Sequence, residues 1–324
     1  FFISVIILTC VLRFMSVVYP VNSANQSMLL KIKPGSTSSS IAKKLAQHKL
    51  IKSEMVFNII INIMGVDNQL KAGYYQFRSS DSLFDIIRLL SQGEVATFKV
   101  TIPEGFDVEK VASRLAEKTD YSKGDFLQIG ASAEVLIDFF KFVEKESNYA
   151  LVGFLYPATY IIPREYSPEE ILKVMIKHFK DKWLKVLEES TKKSSLSPYD
   201  VITIASLIEK EARLDREQPV ISGVIYNRLE KNMLLQIDAG IQYILEDRKE
   251  NILYQDLKID SPYNTYIYMG LPAGPICNPG EDAIRAALNP EHNNYLFYFA
   301  LNDGSHVFTR TYQKHLNLQD ELVK

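Results

Sequence analysis

Two stretches of this chain, seventy residues apart, repeat one pattern, and that pattern dictates the kind of unit it can build. Residues 32–46 read IKPGSTSSSIAKKLA and residues 102–116 read IPEGFDVEKVASRLA. In both, Gly35 or Gly105 is followed at seven residues by Ala42 or Ala112, at ten by Leu45 or Leu115, and at eleven by a second Ala. The spacing predicts a short strand, a glycine turn and a helix. The buried face of that helix carries Ile41, Ala42 and Leu45, or Val111, Ala112 and Leu115. A Ser, Thr or Asp after each glycine is placed to cap the helix. Tyr74–Glu94 (YYQFRSSDSLFDIIRLLSQGE) is a weaker relative. An α+β architecture follows.

The rest of the chain is large enough for more. At 324 residues, the length predicts about two domains on a prior of roughly 150 residues each. With 47% hydrophobic residues it can bury a real core. The 37 Lys+Arg against 39 Asp+Glu, with no basic stripe, argue against nucleic acid as the main partner, because neutralising phosphates needs a basic excess. The two cysteines, Cys10 and Cys277, exclude a disulfide scaffold and a cysteine-rich zinc site.

Residues 1–18 (FFISVIILTCVLRFMSVV) carry one charge, Arg13, and the next is Lys31. A spanning helix needs roughly 20 apolar residues, so the run is just long enough. Arg13 lies near its end, where it could snorkel. An uncleaved anchor over 1–20 is favoured over a cleaved signal peptide, whose cleavage site at Asn22-Ser23-Ala24 would be poor. Either reading exports the remainder.

Further along, 117–150 reads as a helical connector. Residues 168–190 read as a long amphipathic helix, opened by Ser167-Pro168 and burying Ile171, Leu172, Met175, Ile176, Phe179 and Trp183. Tyr199–Arg213 (YDVITIASLIEKEAR) is a third helix. On a helical wheel Thr203, Ser206, Lys210 and Arg213 form its polar stripe. Glu211 lies roughly 55° from the middle of the apolar side and Glu209 about twice as far. A carboxyl group on an apolar face is costly unless protonated or partnered. Burial raises its pKa, which suits a general acid at neutral pH. Glu211 is therefore the acid candidate. The competing reading pairs it with a buried cation such as Arg228.

Ser261–Gly280 (SPYNTYIYMGLPAGPICNPG) holds four prolines and three glycines, so it is neither helix nor central strand. Its tyrosines Tyr263, Tyr266 and Tyr268, with Tyr254 just outside, and its amides Asn264 and Asn278 suit a sugar. Aromatic faces cover the apolar side of a pyranose and amides meet its hydroxyls. A loop packed on itself is the alternative. A helix over 281–288 follows, then a buried strand at 295–301, and Gly304 turns the chain toward His306. A lone histidine on a strand reads as structural. His-Glu-x-x-His, Gly-x-Ser-x-Gly, Walker and dinucleotide motifs are all missing.

The strand-turn-helix pattern resembles LysM-type glycan-binding modules. Taken with ASLIEKEA (205–212), VIYNRL (224–229), LQIDAGIQY (235–243), SPYNTY (261–266), GLPAGPICNPG (270–280), AIRAAL (283–288) and YLFYFA…GSHVFTRTYQKH (295–315), the chain resembles the YceG-like endolytic murein transglycosylases (MltG). GFLYPATYII (153–162) also matches, so the resemblance covers essentially the whole chain. It implies an N-terminal transmembrane helix at 1–20, a LysM-like αβ module at 28–98, a connecting subdomain at 99–152 and an α+β catalytic domain at 153–324. The family's essential glutamate, the second of Glu-x-Glu, carries over to Glu211, in agreement with the wheel.

The resemblance further implies cleavage of the MurNAc–GlcNAc bond within peptidoglycan strands, leaving 1,6-anhydro-MurNAc ends. The sugar's own C6 hydroxyl attacks, so one carboxyl group serves where ordinary glycosidases use two. No cofactor or metal is required. Gln236, Asp238, Tyr263, Asn264 and Tyr266 become candidates for sugar binding, with Asn227 and Asn278 weaker ones. The implied setting is the inner (cytoplasmic) membrane, single-pass, with the catalytic domain on the outer or periplasmic side. The implied partners are peptidoglycan strands and peptidoglycan synthases. Ala158, Ile237, Ala239, Gly240 and Ala273 depart from the family pattern. Two rivals remain: a glycan-binding scaffold that no longer cuts, and a hydrolase that uses Asp238 as a second carboxylate.

Overall fold

The computed structural model describes residues 26–132, 150–190, 196–245, 247 and 249–322, together with 2, 9, 12, 13 and 15–21. Half of the anchor expected over 1–20 lies outside the described residues. Among the described residues no helix is long and apolar enough to cross a membrane. The architecture is α+β, in two compact units. The first comprises 1–99 and 161–166, the second 100–160 and 167–324.

In the first unit, strand β1 (Ser27–Ile32) leads through Gly35 into helix α1 (Ser38–Gln47), and α2 (Glu54–Ile63) follows. Strand β2 (Gly73–Arg78) returns antiparallel to β1, pairing Ser27 with Arg78 and Ile32 with Gly73, and α3 (Leu83–Gln92) comes next. Each helix begins where a hydroxyl can accept an orphan backbone N–H. Thr37 caps α1, Ser53 caps α2, and Ser82 forms a reciprocal capping box with Asp85 on α3. One core closes the unit: Ile41, Ala42 and Leu45 from α1 meet Leu30, Ile32, Tyr75 and Phe77 from the sheet and Ile86, Ile87 and Leu90 from α3. Val18 packs into the same core.

Strand β3 (Thr97–Ile102) pairs with β4 (Ala158–Pro163). The second copy of the repeated pattern supplies α4 (Val108–Ala116), capped by Asp107, and α5 (Lys123–Gly130) follows. The expected helical connector over 117–150 is thus described only in part, because 133–149 lies outside the described residues. Helix α6 (Pro168–Glu189) buries the predicted stripe from Ile171 to Trp183. Helix α7 (Pro198–Glu211) packs against α8 (Gln218–Glu230), α9 (Asp238–Ile244) and α10 (Glu281–Leu288). Strands β5 (Phe297–Ala300) and β6 (His306–Thr309) form a hairpin, and α11 (Tyr312–Leu322) ends the chain. The strand expected at 295–301 is half-buried and not fully buried, because β6 alone pairs with it.

Helix α7 departs from its wheel. Every residue from Val201 to Ile208 is buried, including Thr203 and Ser206 of the expected polar stripe. The cover on that side is the proline-rich loop. Ser206 Oγ donates to Thr203 O at 2.7 Å and accepts the Ile276 N–H at 3.1 Å. Asn278 then ties the loop down, its Oδ1 accepting the N–H groups of Gly153 (3.0 Å) and Leu155 (2.9 Å) and its amide donating to Phe106 O at 2.7 Å. Gly153 has a φ of +91°, and a Cβ there would sit 2.8 Å from Pro275 and 2.9 Å from Ile202. Only glycine allows this approach.

Truncating Asn278 strands two buried donors, the N–H groups of Gly153 and Leu155, while the Phe106 carbonyl keeps the Asn278 N–H; each stranded donor costs about 1–3 kcal/mol. Asn278→Ala is therefore expected to lose about 2 kcal/mol or more in urea unfolding. A loss near zero would mean that the loop is held by other contacts.

Candidate active site

Glu211 is the last residue of α7. The next residue, Ala212, has extended backbone, so the helix ends at this carboxyl group. Glu211 is half-buried. The hydroxyl of Tyr298, on β5, donates to its Oε2 at 3.1 Å, and the Ala239 N–H at the start of α9 donates to it as well. Burial raises the Glu211 pKa from 4.5 to about 7. The neighbouring negative charge of Asp238 adds to the rise, while the two hydrogen bonds oppose it. A carboxyl group poised there both gives and takes a proton at neutral pH.

The competing partner is engaged elsewhere. Arg228, buried on α8, donates from Nε to Leu296 O at 2.6 Å and from Nη1 to the carbonyls of Leu234 and Leu235. Its guanidinium lies over the Phe297 ring, 5.3 Å from the centroid. Among the described residues no cation forms an ion pair with Glu211.

Around the carboxyl group stand Asp238, which is exposed, and Tyr266, whose hydroxyl donates to Asp238. Burial, then the Asp238 hydrogen bond, pushes the Tyr266 hydroxyl above the ordinary tyrosine range. Burial and the nearby Glu211 charge do the same to Tyr298. Gln236 is exposed on the same turn, with a φ of +51° held by its N–H bond to Thr265 O at 3.0 Å. Gly240 lets α9 approach this loop, since a Cβ would meet the Tyr263 carbonyl at 2.5 Å.

The other sequence candidates are placed differently. Asn264 is fully buried. Its amide donates to the carbonyls of Leu257 (3.0 Å) and Ile259 (2.8 Å), and its Oδ1 accepts the Tyr266 N–H. Asn278 is equally enclosed by the bonds described above. Asn227 donates to Asn293 and to Tyr295 O. All three amides are spent on the scaffold, so they shape the site rather than face it. Tyr263 is buried, its ring 4.8 Å from that of Tyr243. Its neighbour Pro262, with Tyr268, Leu271 and Ala273, lines an open hollow of about 380 Å³. His306 bonds through Nδ1 to Glu217 at 2.7 Å, a structural pairing as expected. Among the described residues no group of three or more His, Cys, Asp or Glu side chains is arranged to hold a metal.

Two residues escaped the sequence reading. Tyr298 sat inside an apolar run and read as core; its alternation with Phe297 and Phe299 was the available signal. Glu209 read as the outward acid, yet burial raises its pKa to about 7 as well. It accepts the Gly280 N–H at 3.0 Å, and the charge of Glu104 adds to the rise. The covering loop buries it, and a helical wheel contains no loop.

These features define an α+β protein organised around one protonatable glutamate at a helix end, flanked by a tyrosine and a second carboxylate. The sequence profile of the YceG-like family matches residues 30–321, and the chain belongs to that family. It is 34% identical to an endolytic murein transglycosylase of Bacillus subtilis, over 95% of this chain and 88% of the relative. It is 29% identical to an endolytic murein transglycosylase of Streptococcus pneumoniae, over 88% of this chain but only 56% of that longer protein. The crystal structure of a yceG-like protein from Listeria monocytogenes superposes with a TM-score of 0.63 at 32% identity, covering 91% of this chain and all of the other.

A raised carboxyl pKa is linked to stability. The folded state holds the Glu211 proton more tightly than the unfolded chain does. Its stabilising contribution is therefore full below pH 4.5 and is lost as pH climbs through about 7. Glu211→Gln removes that dependence. The melting temperature of the variant relative to wild type should rise between pH 5 and pH 8; an identical offset at both pH values would contradict the shift.

Proposed function

We propose that this chain is a lytic transglycosylase that cleaves the MurNAc–GlcNAc bond within peptidoglycan strands and leaves 1,6-anhydro-MurNAc ends. The observation that carries this reading is the Glu211 carboxyl group, raised to about 7, hydrogen-bonded by Tyr298 and free of any cation among the described residues. The family relationship and the names of the relatives support the same reading.

In the first half of the reaction, protonated Glu211 gives its proton to the glycosidic oxygen as the bond to C1 breaks. In the second half, the C6 hydroxyl of the same MurNAc attacks C1, and the Glu211 carboxylate takes its proton. The acid is regenerated, no water is consumed, and the atoms balance. Hydrogen bonds from Tyr298 and the Ala239 N–H stabilise the carboxylate between the two halves. Gln236, Asp238 and Tyr266 are proposed to meet the sugar directly. Tyr263, Asn264, Asn278 and Asn227 hold the loop and turns that present them.

The rest of the proposed organisation follows the family. An anchor at 1–20 holds the chain on the outer face of the cytoplasmic membrane. A LysM-like module at 28–98 binds glycan, 99–152 connects, and 153–324 carries the chemistry. Peptidoglycan synthases are the candidate protein partners.

Glu211→Gln should reduce anhydro-ended products, read by mass spectrometry of digested strands, by at least about a thousandfold while the fold is kept. Glu209→Gln keeps an acceptor for the Gly280 N–H and should retain more activity. Normal activity in Glu211→Gln would refute the assignment, and a wild-type chain that binds strands but yields no anhydro ends would be a scaffold.

Asp238 supports a second reading, since its charge is felt by Glu211 and its carboxylate is exposed. A hydrolase using it would place oxygen-18 from labelled water at the reducing end, whereas the transglycosylase incorporates none.

Removing the Tyr298 hydroxyl takes away an interaction that lowers the Glu211 pKa. The pH profile of Tyr298→Phe should therefore shift upward, its alkaline limb moving most. An unmoved profile would separate Tyr298 from the titrating acid.

A further inference from the structure

The first unit contains an open cavity of about 530 Å³, lined entirely by its own residues. That size is within the range that holds a small ligand, roughly 300–1,000 Å³. One wall is the edge of β2 that faces away from β1, open at its middle residue, Gln76. The Tyr74 carbonyl accepts the Ala96 N–H on the side away from β1, and the Arg78 N–H turns the same way, to Asp81 Oδ2 at 2.7 Å. Gln76 has the same strand parity, so its N–H and C=O face that side too. Among the described residues they meet no partner there.

The charges along this edge fall into two sets. Asp81 and Asp85 are committed to the turn: Asp81 holds the Arg78 N–H, and Asp85 accepts from the Ser82 N–H and hydroxyl at 3.1 and 2.6 Å. The Arg78 guanidinium and the Glu94 carboxylate have no recorded partner among the described residues, and Arg88 has one long contact to Asp85 at 3.8 Å. Arg78 ends β2, while Glu94 precedes Ala96, which pairs with Tyr74 at the other end. Four residue steps, from Tyr74 to Arg78, separate those ends, a span of about 13 Å at roughly 3.3 Å per residue.

We infer that this cavity binds an extended peptide of about four residues along the β2 edge, its carboxylate at Arg78 and Arg88 and a free amine at Glu94. Main-chain pairing to Gln76 supplies sequence-independent affinity, and the two charge poles set direction. A short peptide with a free amine and a free carboxylate is the chemistry of the side branches that peptidoglycan carries. The inference therefore rests on the proposed substrate and extends it: the first unit reads the peptide while the glutamate site cuts the glycan.

The test is titration calorimetry on the full chain with a synthetic stem tetrapeptide carrying a diamino acid, a measurement that needs no cleavage. Saturable binding is expected, weakened at least tenfold by amidating the peptide's terminal carboxylate and severalfold by acetylating its side-chain amine. R78A/R88A should reproduce the first loss and Glu94→Gln the second. Because the peptide modifications leave the protein untouched, a misfolded variant cannot imitate them. Absence of saturable binding, or binding indifferent to both modifications, overturns the inference. Missing anhydro products alongside intact peptide binding would instead sink the enzymatic reading and leave this site standing.

Discussion

The docking of a proline-rich loop on the polar face of a buried helix is the constraint from which the candidate site follows. Helix α7 is buried all along Val201–Ile208, which its hydroxyls permit only because each has a partner. Thr203 bonds back to Tyr199 O, and Ser206 both donates to its own helix and accepts the Ile276 N–H. The loop in turn has few amides to satisfy, since proline removes the donor at four positions. Of those that remain, the Ile276, Gly280 and Asn278 N–H groups are met by Ser206, Glu209 and Phe106 O. Helix and loop therefore bury one another, and the helix runs out at Glu211 beside the second layer built by α9 and β5.

That arrangement sets the acid by opposition. Burial and the Asp238 charge favour the neutral carboxyl; Tyr298 and the Ala239 N–H favour the anion. Neither set alone would suit a group proposed to give and then recover a proton. With burial unopposed the anion would be too costly to form, and with full hydrogen bonding the proton would be gone at neutral pH. Arg228 is held away from this balance by three backbone carbonyls, which take hydrogen bonds from its Nε and Nη1. An Arg–carboxylate pair here would have pinned the proton off, so the carbonyls of Leu234, Leu235 and Leu296 matter to the acid although none touches it.

The local structure was legible because it depends on local physics. The repeated glycine-turn pattern placed β1, α1, β3 and α4, and the caps at Thr37 and Asp107 act where the sequence puts them. The stripe of α6 lies in the core as its period requires. The shielding that raises the Glu211 pKa was legible because the apolar side of its helix is core. What was not legible depended on which distant segment covers which face. Thr203 and Ser206 read as solvent-facing until Ile276 arrived, seventy residues later in the chain. Asn264 and Asn278 read as sugar ligands because an amide in a tyrosine-rich loop suits a sugar. A twenty-residue loop without regular ladders has its own backbone groups to satisfy, and the buried amides go there first.

The two glutamates of Glu-x-Glu show why a pKa alone does not select a catalyst. Both are raised to about 7, chiefly by burial. Yet Glu209 is occupied: its carboxylate holds the Gly280 N–H that begins α10, with Glu104 close against the same glycine. A group whose acceptor oxygen fixes the end of a structural loop would lose that contact each time it moved to a substrate. Glu211 is held by a tyrosine hydroxyl, a rotor that can follow either protonation state, and by the single Ala239 N–H, and it stands beside the side chains of Asp238 and Tyr266. Two residues of helix separate a carboxyl group that holds the loop in place from the one to which the proposed reaction assigns the proton transfers.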